Sequence, residues 1–231
     1  MGCKNSKEEP PKKQEKVSTI KTSTSGVTLH YFDLYGRAEV IRMALKYLKI
    51  DYTENVVSME EWQTCDKTPY EFGQLPCLEI DNTKLVTSRA ILRYICMKNG
   101  LYPEDNMEVY KVESICDLVS DALEPLIPLV FANNTEGVEN YYREKMPSIL
   151  EMMENRLKQN TSENHFLEDK TSMADFVVFE FLYDFFMSAS KRDSFGDLLE
   201  EVPVLKKFAE NFMDSSEELK EYLSTRQAKF L

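Results

Sequence analysis

The stretch Phe72-Gly73-Gln74-Leu75-Pro76-Cys77-Leu78-Glu79 decides how the first half of the chain is read. Gly73 through Pro76 has the residues of a turn. Behind it, Cys77–Ile80 and Lys84–Thr87 are two short β-prone runs separated by Asp81-Asn82, which predicts a hairpin. Toward the N-terminus, Val27–Phe32 lies between Gly26 and Gly36 and reads as a strand. Arg37–Lys49 places Ile41, Leu45 and Leu48 at offsets 0, 4 and 7, the period of an amphipathic helix. Tyr52–Val57 reads as a second strand, and Ser58 with Glu61 as a capping box for a short helix through Trp62. Toward the C-terminus, Ser88–Lys98 is a helix ended by Asn99-Gly100. The order is β-α-β-α-β-β-α over about 75 residues, an α/β domain whose first two strands run parallel by the crossover rule.

After Pro103 strand signals stop. Glu104–Phe131 reads as one long helix with a bend at Pro125 and Pro128. Glu136–Gln159 reads as another, with Ile149, Met152, Met153 and Leu157 as its apolar face. Ser172-Met173-Ala174-Asp175 has the residues of a helix N-cap box, whose side chains would satisfy the first amides of the helix behind it. That helix is rich in aromatics (Phe176, Phe179, Phe181, Tyr183, Phe185, Phe186) and is the expected core of a second, all-α domain. Further helices are expected from Val204 onward. The division is therefore a tail over 1–26, an α/β domain over 27–103 and an all-helical domain over 104–231.

Composition narrows the function classes. The chain of 231 residues is 42% hydrophobic, enough for a proper core, and no run approaches the roughly 18 apolar residues needed to span a bilayer. A net charge of −12 argues against nucleic-acid binding, which needs a basic footprint. Five cysteines (Cys3, Cys65, Cys77, Cys96, Cys116) and two histidines (His30, His165) show no metal-ligand spacing, so no metal site is expected and reduced, cytosolic thiols fit best.

The first 26 residues differ from the rest. They hold six lysines against three glutamates and no aromatic residue, a net of +3 that leaves −15 for the remainder. Met1-Gly2-Cys3-Lys4-Asn5-Ser6 matches the myristoylation pattern in full. One acyl chain anchors only marginally. Cys3 offers a palmitoylation site beside Gly2, and the lysines favour anionic lipid. The expectation is a lipid-anchored tail at the cytoplasmic face of a membrane.

Four strings in order carry a resemblance. Leu29-His30-Tyr31-Phe32-Asp33-Leu34-Tyr35-Gly36-Arg37-Ala38-Glu39, Phe72–Glu79, Thr87-Ser88-Arg89-Ala90-Ile91-Leu92-Arg93-Tyr94 and Ser172–Phe176 resemble, at matching spacings, the glutathione transferase family, most closely the sigma class with its glutathione-dependent prostaglandin D synthases. The resemblance runs from about residue 27 to residue 225. It implies a thioredoxin-like N-terminal domain and an all-helical C-terminal domain. It also implies a homodimer and an enzyme that uses glutathione as co-substrate. Such an enzyme adds the thiolate to small electrophiles, or isomerises or reduces peroxides.

The resemblance assigns roles residue by residue. Tyr31 would donate a hydrogen bond to the glutathione sulfur. Each pKa unit by which the thiol is lowered needs about 1.4 kcal/mol of preference for its charged form, and one charge-assisted hydrogen bond supplies about 1.5–3 kcal/mol. Arg37 would steady that tyrosine. Trp62 would meet the glycine end of glutathione or, on the plainer reading, anchor a helix to the sheet. Gly73, Gln74, Leu75 and Pro76 would form the family's cis-proline turn, which turns the backbone of Leu75 outward to pair with the cysteinyl part of glutathione; the plainer alternative is a trans loop. Thr87 and Ser88 would hold the γ-glutamyl carboxylate at a helix start, where Ser88 also suits a cap. Asp121 would cross a dimer interface to the partner's glutathione ammonium. Asp117 matches an acid near a divalent-cation site in some relatives, while Glu113, Asp117 and Asp121 also read as a solvated, mutually repelling acidic face. Tyr35 and Pro125–Leu129 are candidate walls of the electrophile pocket. Two positions depart from the family. Thr87 is shorter than the usual Gln or Glu, and Asp66 stands where a lysine is common, with Lys67 next to it as a substitute. These departures leave a rival reading of a non-catalytic scaffold.

Overall fold

The computed structural model describes residues 26–227; Gly2, Cys3 and the lysine-rich tail lie outside them. Strand β1 (Val27–Tyr31) is central. It pairs in parallel with β2 (Thr53–Val56) and antiparallel with β3 (Cys77–Ile80), which pairs antiparallel with β4 (Thr83–Val86), giving the order β2-β1-β3-β4. Asp81 and Asn82 both have positive φ, 50° and 65°. That is the backbone of the two-residue turn whose twist matches a hairpin. Helix α1 (Glu39–Tyr47) and helix α3 (Ser88–Lys98) bury Ile41, Ala44, Leu45, Ile91, Leu92 and Ile95 with Leu29 and Leu78 of the sheet. Helix α2 (Met59–Thr64) starts as expected, with Glu61 N–H donating to Ser58 Oγ and Ser58 N–H to the Glu61 carboxylate.

The C-terminal part is helical throughout, but two expected helices are each broken in two. Glu104–Phe131 becomes α4 (Asn106–Leu123) and α5 (Leu126–Phe131), separated at Glu124-Pro125. Asp105 caps α4 by accepting from the amides of Met107 and Glu108. Glu136–Gln159 becomes α6 (Thr135–Glu144) and α7 (Met146–Leu157). Pro147 has no N–H to continue the ladder and sits where proline is tolerated, in the first turn of the second helix. The buried stripe of α7 is Met146, Leu150, Met153 and Leu157, and Met152 is exposed.

Helix α8 (Met173–Leu182) is buried at every position but Glu180. Its start carries the expected box between Ser172 and Asp175. Asp175 accepts from the N–H and hydroxyl of Ser172 (2.6 and 2.9 Å) and from the N–H of Phe166 (2.9 Å), so it ties the preceding loop to the helix. A π turn over Tyr183–Met187 follows. Helix α9 (Arg192–Phe195), helix α10 (Pro203–Asp214) and helix α11 (Glu217–Thr225) complete the fold. The aromatic helix joins the two parts: Phe176 and Phe179 meet Phe212 of α10 at 5.3 and 5.0 Å, and Tyr47 of α1 stacks on Phe212 at 5.3 Å. Each such buried ring contributes about 1.5–3 kcal/mol relative to exposure.

Candidate active site

Tyr31 ends β1, so its side chain follows Val27 and Leu29 onto the buried face of the sheet. Its hydroxyl points at the start of the next helix, where Arg37 N–H donates to it at 3.1 Å. Burial raises the Tyr31 pKa; the Arg37 amide and the charges of Arg37 and Arg42 pull the other way. The net shift is upward, so at neutral pH the group is a phenol with one lone pair occupied and its proton available to donate. Gly36 makes the close approach possible. A Cβ there would lie 2.9 Å from Tyr31 Oη and 2.6 Å from Leu34 Cδ1, and φ is +41°.

The Arg37 side chain is exposed. The contact it makes with Tyr31 is through its backbone amide rather than through the guanidinium, which acts only as a nearby charge.

The Leu75–Pro76 bond is cis, and neither backbone group of Leu75 is hydrogen-bonded to another described residue. Gln74 is exposed beside it, and Gly73 has φ +57°. Thr87 precedes α3 with φ +66° and ψ 113°. For a β-branched residue this is a strained conformation of the kind that clusters at ligand sites. The first bond of α3 runs from Ile91 N–H to Thr87 C=O, leaving the amides of residues 88–90 without helical acceptors. With the Ser88 and Thr87 hydroxyls, these amides make a start suited to a carboxylate.

Trp62 is half-buried, edge-on to Phe32 (6.3 Å) and Tyr70 (5.2 Å). It ties α2 to Phe32, just past β1, and to Tyr70, and its indole N–H meets no acceptor among the described residues. Lys67 Nζ lies 5.1 Å from the Trp62 ring centroid. Asp66 instead accepts from Thr68 N–H at 2.9 Å, a local turn that holds its carboxyl below the usual range. Lys67, not Asp66, is thus the charge next to Trp62.

On α4 the acidic triplet divides. Glu113 is matched rather than repelled: Arg93 grips it in bidentate fashion at 2.7 and 2.8 Å and Tyr102 donates to it at 2.6 Å. Asp117 and Asp121 are exposed. Of the pocket walls suggested by sequence, Tyr35 is buried and Leu126 fully so, whereas Pro125 and Pro128 are exposed.

The reading by sequence missed Arg42. It is 4% exposed and donates to the carbonyls of Leu34 and Tyr35 (both 3.2 Å), to Glu39 (3.1 Å) and to Glu54 (2.5 Å). An arginine amid the apolar positions of an amphipathic helix was the available signal.

Comparison with known proteins follows the same division. Residues 27–96 match the family model described as glutathione S-transferase, N-terminal domain, and residues 120–226 the corresponding C-terminal domain. The chain is similar to glutathione S-transferase P of Caenorhabditis elegans, 31% identical over 201 residues, which are 87% of this chain and 93% of the relative. It is similar also to glutathione S-transferase 2 of Manduca sexta, 32% identical over 206 residues, 88% and 98% of the two chains. The solved pi-class glutathione S-transferase of Onchocerca volvulus superposes with a TM-score of 0.77 at 30% identity, covering 87% and 93%. Prostaglandin synthase D of Nilaparvata lugens, at a TM-score of 0.72 and 23% identity over 88% and 99%, shares the fold.

Proposed function

The chain belongs to the glutathione transferase family, and from that premise we propose that Tyr31 is the residue that makes glutathione reactive. The single observation that carries the reading is the Tyr31 hydroxyl, a buried phenol oriented by the Arg37 amide and made approachable by Gly36. Glutathione arrives as a thiol. Tyr31 donates its O–H to the sulfur and favours the thiolate, and the thiol proton leaves to solvent. The thiolate then attacks an electrophilic carbon; a C–S bond forms, and the leaving group departs with its electron pair.

The rest of the tripeptide is held by groups already in place. The γ-glutamyl carboxylate meets the open amides of α3 with Ser88 and Thr87. The cysteinyl backbone pairs with the free N–H and C=O of Leu75, with Gln74 beside it. The glycine carboxylate lies between the Trp62 indole N–H and Lys67. Asp121 serves the ammonium of the partner subunit's glutathione across a two-fold axis. In support of a dimer, Phe72 is 71% exposed in a left-handed backbone (φ +59°) and is better covered by a second copy than by water. The strings Leu29–Glu39, Phe72–Glu79, Thr87–Tyr94 and Ser172–Phe176 support a sigma-like class, with isomerase or peroxide-reducing chemistry beside conjugation.

The deciding experiment is the ultraviolet difference spectrum of bound glutathione against pH. Wild-type protein gives a thiolate signal near neutrality that moves to higher pH in Tyr31→Phe. An unchanged midpoint in that variant removes Tyr31 from the mechanism.

A membrane tether is the second part of the proposal, supported by Gly2, Cys3 and the lysines of the tail. Among the described residues no helix is long and apolar enough to cross a membrane, so attachment rests on acylation. Gly2→Ala in a myristoylating host shifts the protein from the membrane to the soluble fraction; partition identical to wild type rules the tether out.

A further inference from the structure

A second layer of charge lies behind the candidate site, between the loop 32–36 and the residues that follow α11. Arg226 follows α11, and its side chain is 8% exposed. Its Nη1 donates to Asp184 Oδ1 at 2.6 Å and lies 3.5 Å from Glu39 Oε1. Its guanidinium carbon is 3.7 Å from the Tyr35 ring centroid and 5.1 Å from that of Tyr183. The Tyr35 hydroxyl donates to the Gln227 carbonyl at 2.6 Å. The last described residues are therefore pinned to the loop that leads from Tyr31 to Arg37. A planar guanidinium satisfied by two carboxylates and laid flat on a ring loses little entropy per contact and holds its partners in one geometry. Asp184 stands in the π turn, a widened helical turn frequent at functional sites.

Contacts continue from there to the phenol. Glu39, fully buried, also accepts from Tyr222 (2.9 and 3.0 Å) and from Arg42. Arg42 holds the Leu34 and Tyr35 carbonyls, and its guanidinium carbon lies 5.9 Å from the Tyr31 ring centroid. The next two residues are Gly36 and Arg37, whose amide meets the Tyr31 hydroxyl. We propose that Arg226 is a positioning residue for the thiolate site: by fixing Tyr35 and Glu39 it holds the loop 32–36 where the Arg37 amide orients Tyr31. This rests on the reading of Tyr31 above. Without Arg226, Asp184 loses its hydrogen-bonded cation, Glu39 keeps Arg42 and Tyr222, the Tyr35 ring loses the guanidinium laid on it, and the loop gains freedom. Buried charge left unpaired in this way relaxes the structure around it.

The test titrates bound glutathione thiolate in wild type, Tyr31→Phe, Arg226→Gln, Arg226→Lys and Tyr35→Phe, with a thermal midpoint for each. Arg226→Gln raises the thiolate midpoint by about half a unit, roughly threefold less thiolate below it. Arg226→Lys keeps the charge near Asp184 without the flat stack, so its midpoint falls between those of wild type and Arg226→Gln. Folded Arg226→Gln with a wild-type titration overturns the proposal while leaving Tyr31 in place, because a merely structural arginine would lower the thermal midpoint alone. Tyr31→Phe with a wild-type titration overturns the Tyr31 reading, and this inference with it. If Arg226→Gln does not fold, Tyr35→Phe decides: losing the hydroxyl that holds Gln227 shifts the titration the same way, and an unchanged titration overturns the proposal.

Discussion

Gly36→Ala puts the geometry of the site under direct strain. The added methyl would stand 2.9 Å from Tyr31 Oη and 2.6 Å from Leu34 Cδ1. Leu34 is half-buried and its methyl is the far end of a flexible side chain, so that contact relaxes cheaply. The tyrosine is 7% exposed and its ring is held by the sheet core, so its hydroxyl has little room to retreat. The backbone adds its own cost, since φ +41° suits glycine and a left-handed alanine costs about 1–2 kcal/mol. Two separate losses follow. Stability falls by about 1–2 kcal/mol from the backbone alone. Catalysis falls because a displaced hydroxyl no longer meets both the Arg37 amide and the sulfur. Full loss of one charge-assisted hydrogen bond, about 1.5–3 kcal/mol, corresponds to roughly 10–150-fold in thiolate population below the midpoint. Tyr31→Phe sets that limit, and Gly36→Ala lies between it and wild type. The assay is kcat/KM for an aryl halide against pH, beside urea unfolding of the same preparations. A Gly36→Ala protein with reduced stability but a wild-type pH profile would refute the claim that this approach orients the phenol.

Three further outcomes are expected. Glu113→Gln removes a carboxylate held below its ordinary range by Arg93 and Tyr102. The contribution of that group is fully present at neutral pH and is lost as pH falls through its lowered folded value, so the variant is less stable by about 1 kcal/mol at pH 7. The gap closes in acid unfolding, and a gap that widens toward low pH contradicts the assignment. Asp175→Ala leaves the buried Phe166 and Ser172 amides without their acceptor, at a cost of about 2–4 kcal/mol in chemical unfolding; a loss below 1 kcal/mol means that water replaces the carboxylate. Phe72→Glu shifts light-scattering mass from two chains toward one at micromolar protein, whereas an unchanged mass locates the dimer contact elsewhere.

Some of this protein is local and therefore legible in the chain. Turn chemistry at Asp81-Asn82, the proline after Leu75, the Ser58–Glu61 box and the switch from period 2 to period 3.6 after Pro103 act within a few residues of themselves. The four strands, the turn before Cys77 and the all-helical second half follow from them, and the cis bond is expected from the family resemblance. The position of Tyr31 at the end of β1 belongs to the same class, because a strand alternates its faces by count.

Tertiary structure decided what depends on partners distant in sequence. Glu113 looks repelled beside Asp117 and Asp121, but Arg93, twenty residues earlier on α3, neutralises it. Arg37 looks like a charge for the site, yet its amide makes the contact because Gly36 bends the chain back onto Tyr31. Arg226 looks like an ordinary residue after a helix and is buried against Tyr35, Glu39 and Asp184. A charge is cheap on the surface and costly inside unless paired, so its role depends on which distant groups the fold brings to meet it.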